Sequence, residues 1–570
     1  MADDSADAWH GVAAALFAAV DESSDARAKA LRRLAKMQPP VDFWLLRETS
    51  AFRELILLCA RDEALEIRLP ALYALGNIAA VDPESPTWCL EECQYVLIES
   101  AEHGDKYVSD SAWRCVLKLV ECHGESMWAN DRFRRSLVAG AAGKLGGSAK
   151  SQQVQGRCLA TLKALAMTHS STWRQMWQQA GAVLRSAAMN QALASPNRCN
   201  ALRTLCAVAH DTNRREMWAD QDFRTLLLAG KIFDTECTRV IFDIYSKLAT
   251  DPQTAMYVWQ YSGTKAMFQH GVSEGGAEVL SALVVLTIPA TNQATIWQDM
   301  GALLLEIVLT EAGDSRRKEL ALEAVAKLSE CCENGHLVWR NSRGDAKTWL
   351  LDYADAQPGG TRHTGAMKAL ALRAIANSIA QGQNVDAIFR LCRLKPVAVL
   401  RALLTGSEDA SLDQEARACA LCGVASIVRT VDDEKAVKNT VCRAKLQLAG
   451  SSNQDALLCE GALKVLERAQ VSIQEVWSSS TFITTFLSCL DEASPMKLRM
   501  QAFRVLAVLV TFPAICPQIW SATTDVLFLA LYGGLLPFDL SLGSASLNSA
   551  TVKTFEMRSD RLMPAGSFGH

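Results

Sequence analysis

A chain of 570 residues, 49% hydrophobic and 21% charged, is too long for one globular core, which stops growing near roughly 250–300 residues. Repeats that each pack only on their neighbours escape that limit. A net charge of −4 excludes a global field that would gather nucleic acid or acidic membrane, so any charged site must come from local clustering.

The opening residues Met1 to Asp7 are acidic, whereas a secretory signal has a positive leader. Residues 8–37 read as a short first unit, with Leu31, Leu34 and Met37 on one helical face and Pro39-Pro40 ending it. From there a hydrophobic residue followed by Trp recurs. It is seen as Phe43-Trp44, Met127-Trp128, Met176-Trp177, Met217-Trp218, Val258-Trp259, Ile296-Trp297, Val338-Trp339, Val476-Trp477 and Ile519-Trp520. Trp9 and Trp88 keep the ring alone, and Ile388-Phe389 and Val437-Lys438 fill the slot without it. The mean interval is about 43 residues, the period of a two- or three-helix repeat. The fixed phase of the rings with apolar neighbours predicts that they form core between repeats rather than exposed anchors.

Each unit continues with apolar residues at helical spacing, such as Phe223, Leu226 and Leu227, then a polar loop, then an Ala/Leu-rich helix such as 71–79, 201–205 or 462–466. Four residues before the apolar partner of the Trp sits a polar residue. Asn213, Asn292, Asn334, Asn384, Thr172, Thr254, Asp433 and Ser472 fill this place, and their types predict helix N-caps that accept a backbone N–H. After about Pro537 the periodicity fades. The last apolar run, 526–538, is interrupted by Gly533, Gly534 and Pro537 and falls short of the roughly 20 residues of a membrane span. Residues 541–570 are expected to be a disordered tail. The expected organisation is a capping unit over 1–37, a solenoid over 38–540 and that tail. The chain reads as intracellular and cytoplasmic, with the nucleus as the alternative.

No catalytic or metal motif stands. Cys419-x-x-Cys422 has redox or metal spacing, but it lies in an Ala-rich helix without a second pair, so both thiols are expected to be structural. Cys89 and Cys93, and Cys331-Cys332 beside His336, likewise lack four converging ligands. Gly140, Gly143-Lys144 and Gly146-Gly147 miss the phosphate-loop spacing and read as an inter-helix loop. The nine histidines form no recognisable triad. No enzyme activity, cofactor or metal is expected.

The order Asn-x-x-x-(Ile/Val)-x-x-x-Gly, spaced leucines, a loop and Ala-Leu-x-x-Leu-Ala resembles the armadillo repeat. The nearest units are Asn292 to Ile296 continuing through Met300-Gly301-Ala302 and Leu305, Met176 through Ala180-Gly181-Ala182, and 74–79. Trp where that family carries Val is a departure, and the related HEAT repeat stays open for units of irregular length. The resemblance spans about residues 8–535 and implies an all-α, right-handed alpha-alpha superhelix of about twelve repeats. It further implies that the last helix of each unit lines a concave groove, with two residues four apart facing an extended peptide.

By alignment the slots are Arg32 and Lys36, Tyr73 and Asn77, Arg114 and Lys118, Ala160 and Ala164, Arg203 and Ala207, Asp243 and Lys247. They continue as Ser281 and Val285, Glu323 and Lys327, Arg373 and Asn377, Cys422 and Ser426, Lys464 and Arg468, Arg504 and Val508. Eleven of these 24 are basic and two acidic. The candidate binding residues are Tyr73, Asn77, Arg114, Lys118, Arg203, Lys247, Lys327, Arg373, Asn377, Lys464, Arg468 and Arg504. The expected function is a non-catalytic scaffold or adaptor that binds acidic or phosphorylated protein segments, Arg giving bidentate contacts. A nuclear transport adaptor is one alternative, although its Trp/Asn ladder is mostly missing. A nucleic-acid or phosphoinositide binder is the other, and neither is the favoured reading.

Overall fold

The computed structural model describes residues 2–19, 23–37, 49–81, 83–84, 88, 90–145, 152–210, 212–229, 234–274, 276–310, 315–339, 346–354, 362–380, 385, 389, 395–431, 433–450, 456–469, 476–491 and 493–523. Pro39-Pro40, Trp44, Cys89, Asn384, Ile388, Ser472 and the tail 541–570 lie outside the described residues. Every regular element described is a helix. The chain forms two compact units, Met1–Asn384 and Val385–His570.

In the first unit the Ala/Leu-rich helices stand side by side as one row. They are α1 (Ser24–Leu34), α2 (Leu65–Val81), α3 (Lys106–Ala129), α4 (Gln152–Thr168), α5 (Ser195–Val208), α6 (Thr235–Ala249), α7 (Ala277–Leu286), α8 (Arg316–Leu328) and α9 (Arg362–Ala380), each packed on the next. Behind them Glu91–Ala101, Asp131–Ala141, Trp173–Met189, Gln221–Leu228, Ser262–Ser273 and Ala290–Thr310 make a second row. The second unit repeats the plan with α10 (Gln414–Ile427), α11 (Ala456–Ala469) and α12 (Met496–Leu509) in one row. Its other row is Pro396–Glu408, Glu434–Gly450 and Ser480–Leu490.

A row helix must bury both flanks and its back, so its apolar arc is wide and its free face narrow. On α2, Ile67, Ala71, Leu72, Ala74, Leu75, Ile78 and Ala79 are buried, leaving Tyr73 and Asn77 toward solvent.

The Trp rings lie where repeats meet. Trp9, Trp88, Trp128, Trp177, Trp218, Trp259, Trp297, Trp339 and Trp477 are all between 0% and 8% exposed, so they are core, whereas Trp520, near the end of the described residues, is only half-buried and departs from that expectation. They meet other rings edge-on, Trp177 against Phe223 at 5.6 Å and Trp259 against Phe268 at 5.9 Å between centroids, the geometry that ring quadrupoles favour. The Gly of the repeat follows from the ring. A Cβ at Gly181 would stand 2.9 Å from the Trp177 ring, and one at Gly301 2.9 Å from Trp297. Trp128 departs from the expected position inside a new helix and instead ends the long helix α3.

The repeated polar residue is mostly not an N-cap, which corrects the sequence reading. Asn213, Asn292 and Asn334 are at most 2% exposed and use their amide N–H groups instead. Asn292 Nδ2 donates to the Leu286 carbonyl at 3.1 Å and, one repeat back, to the Ala255 carbonyl at 3.1 Å. Asn334 donates to Leu328 at 2.9 Å and Gln293 at 2.9 Å. Asn213 donates to Val208 at 2.9 Å and Trp173 at 3.1 Å. Each amide closes the end of one helix and staples it to the preceding repeat. Thr172 donates to the His169 carbonyl rather than capping, and Thr254 is itself capped by Asp251. Asp433 does cap, accepting from the Lys435 and Ala436 N–H groups.

The glycines after Asp131–Ala141 form a helix C-cap. Gly143 has φ +72°, its N–H donates to the Gly140 carbonyl, and the Lys144 N–H donates to the Ala139 carbonyl. These are the two bonds of a Schellman motif; Gly146-Gly147 lie outside the described residues.

Candidate protein-interaction face

Within each unit the row helices present their narrow free faces side by side, and the aligned slots fall on them. All slots except Ala207, which is 8% exposed, are exposed or half-exposed. Their chemistry differs along the row. On α2, Tyr73 is 42% exposed and Asn77 donates through Nδ2 to the Ala35 carbonyl just past α1, at 2.9 Å. On α3, the Arg114 guanidinium lies 5.8 Å from the Tyr73 ring centroid, within cation–π reach. Lys118 Nζ donates to the Gly76 carbonyl at 2.9 Å.

Further along, three of the seven basic slots have acquired carboxylates. Arg203 of α5 pairs with Glu236 of α6 at 2.6 Å, and Lys327 of α8 pairs with Glu330 at 3.2 Å. Lys247 is exposed, with Asp243 one turn before it. Burial raises the Asp243 carboxyl, the cations Arg239 and Lys247 opposing it in part. On α9, Arg373 is half-exposed and Asn377 donates to the Ala326 carbonyl at 3.0 Å.

In the second unit Lys464 pairs with Glu460 at 2.6 Å and stands 3.8 Å from Cys422 Sγ. Arg468 donates to Ser426 Oγ at 3.2 Å. Arg504 of α12 is exposed. Thus four slot residues, Asn77, Lys118, Asn377 and Arg468, bond a carbonyl at the end of the preceding row helix. Alignment to a peptide-binding slot did not reveal that structural use.

The neutralising partners were missed by the sequence reading. Glu460 and Lys464 are four apart, a pairing that helix spacing makes legible. Glu236 lies in a different repeat from Arg203, and nothing in local spacing connects them. Asp110 of α3, 7% exposed, is held by Arg157 at 3.2 Å and Gln153 at 3.0 Å from α4.

Cys419 and Cys422 are half-buried rather than buried, and burial raises the Cys422 thiol. Burial likewise pushes Cys93 up to about 11 and Cys115 up to about 12, which keeps both thiols protonated and inert. Among the described residues no three His, Cys, Asp or Glu side chains are grouped to hold a metal ion. No described helix is long and apolar enough to cross a membrane.

No family model matches the chain, and no curated protein matches it. Solved structures do match. An engineered protein is 17% identical, with 73% of this chain and 98% of that one covered and a TM-score of 0.55. A structure concerning a phosphorylation switch that controls the interaction between cadherin and beta-catenin is 13% identical, with 87% and 99% covered and a TM-score of 0.49. Importin beta is 14% identical, with 92% and 71% covered and a TM-score of 0.44. At these identities the likeness is one of fold. In each unit the described helices form an all-α, two-row stack of the helical-solenoid kind.

Proposed function

We propose that the chain is a non-catalytic scaffold or adaptor that holds segments of partner proteins along the concave groove lined by its row helices, and that the favoured segments are acidic or phosphorylated. The observation that carries this reading is the succession of paired, solvent-facing slots on adjacent row helices, eleven of them basic. A periodic face suits an extended ligand, because successive ligand residues meet chemically similar slots without any change in backbone geometry. The fold itself hosts many functions, so the weight rests on the side chains.

A photo-crosslinking residue placed at Tyr73, Asp243 or Ser281 on the row face of the first unit is expected to trap the same partner protein. The same residue at Gln179, on the second row, is expected not to trap it. Mass spectrometry of the adducts reads the result. Crosslinking confined to the second-row position would overturn the assignment.

A further inference from the structure

Building on the reading of the row face as the binding face, we infer that its anion-binding stretch is α1–α3. Its ligand is an extended peptide with acidic side chains about six residues apart and an apolar or aromatic side chain midway.

Charge is the first ground. Arg32 on α1, Lys36 just past its end and Arg114 on α3 are exposed, and Lys118 uses one N–H on the Gly76 carbonyl. Among the described residues, none of these four has a carboxylate within 4.0 Å. Of the seven basic slots further along, three are neutralised, through Arg203–Glu236, Lys327–Glu330 and Lys464–Glu460. The buried carboxylate of α3, Asp110, is already taken by Arg157. Glu121 is exposed on α3 one turn after Lys118, without closing an ion pair with it. A pair already closed by a carboxylate gains little from a second anion, whereas an unpaired Arg gains a full charge-assisted bond.

Contiguity is the second. Asn77 reaches the end of α1 at 2.9 Å, Lys118 reaches α2 at 2.9 Å, and Arg114 lies over Tyr73 at 5.8 Å. The α1 and α3 cations therefore flank an exposed aromatic ring on one continuous surface. Tyr and Arg together are the side chains that most often anchor a partner.

Spacing gives the ligand pattern. Packed helices lie about 8–10 Å apart, and an extended chain advances about 3.3 Å per residue. A peptide crossing the row moves roughly three residues per helix on these dimensions. Acid on α1, an apolar group on Tyr73 and acid on α3 thus recur at three-residue steps.

The test is fluorescence anisotropy of the full chain with a fluorescein-labelled heptapeptide. The probe has glutamate at both ends, phenylalanine in the middle and serines between. A control peptide of equal composition has its two glutamates adjacent. Binding of the first is expected, with the control about tenfold weaker. Arg32→Glu and Arg114→Glu, both at exposed positions, are each expected to weaken binding about tenfold, and Arg114→Gln less. Lys247→Glu should leave it unchanged, with helicity by circular dichroism constant throughout. If Lys247→Glu weakens binding and the α1 and α3 variants do not, the stretch is misplaced although the row face still binds. If no variant on the row alters binding, or if the probe does not bind, the inference is overturned, and in the first case the row-face reading falls with it.

Discussion

At the scale of single residues, the repeated Asn does the work of joining units. Asn292 is 1% exposed and satisfies two carbonyls in different repeats. Asn292→Ala strands both acceptors away from water, and the expected cost is about 2–3 kcal/mol. It should be read as a lowered urea midpoint, and a midpoint equal to that of the wild type would refute the staple. The period of these residues was legible in the sequence, but their role was not. An amide side chain carries both an acceptor, which would cap, and two donors, which staple. Residue type alone does not choose between them. For Trp the choice was legible, because a large ring in fixed phase with apolar neighbours has only the interior to go to.

At the scale of elements, neighbouring helices are tied by carboxylates at their starts. Asp234 caps α6 by accepting the Cys237 N–H at 2.9 Å. It also accepts a hydrogen bond from the Ser195 hydroxyl at the start of α5 and faces Arg198 at 3.4 Å. The Ser195 bond first, then the Cys237 N–H and Arg198, against burial, hold its carboxyl below the usual carboxylate range. A carboxyl lowered by folding stabilises fully above its unfolded value, about 3.9. That contribution is lost as pH falls through the folded value. Between pH 7 and pH 3 the wild type should therefore lose more stability than Asp234→Asn, in denaturant titrations at each pH. Parallel losses would mean that Asp234 contributes no acid-sensitive stability. Links of this kind explain why the candidate face was only half legible. The slots follow from helical phase within one repeat, as does the Glu460–Lys464 pair, whereas the neutralisation of Arg203 depends on Glu236 about one repeat away. The unpaired stretch on α1–α3 became visible only when the helices were set side by side.

At the scale of the whole molecule, the architecture was the most legible feature, because a 43-residue spacing of Trp is what a stack of two-layer repeats produces. A solenoid stabilised by nearest neighbours tolerates loss of whole repeats. A chain ending at residue 384, which retains one compact unit, is expected to keep its helicity per residue in far-ultraviolet circular dichroism and to run as a folded species in gel filtration. Loss of the helical signal from that fragment would argue that the units do not fold on nearest-neighbour contacts.

Seven of the staples share a direction, whereas Gln152, Gln269 and Arg429 donate forward, to the Ala192, Asp299 and Arg468 carbonyls. Asn77, Lys118, Asn213, Asn292, Asn334, Asn377 and Arg468 each donate to a carbonyl earlier in the chain, in a neighbouring repeat. During synthesis the N-terminal portion emerges first, so each of these seven acceptors leaves the ribosome before its donor. A newly made repeat meets a finished surface with its carbonyls already in place, and growth of the polypeptide and growth of the stack run the same way.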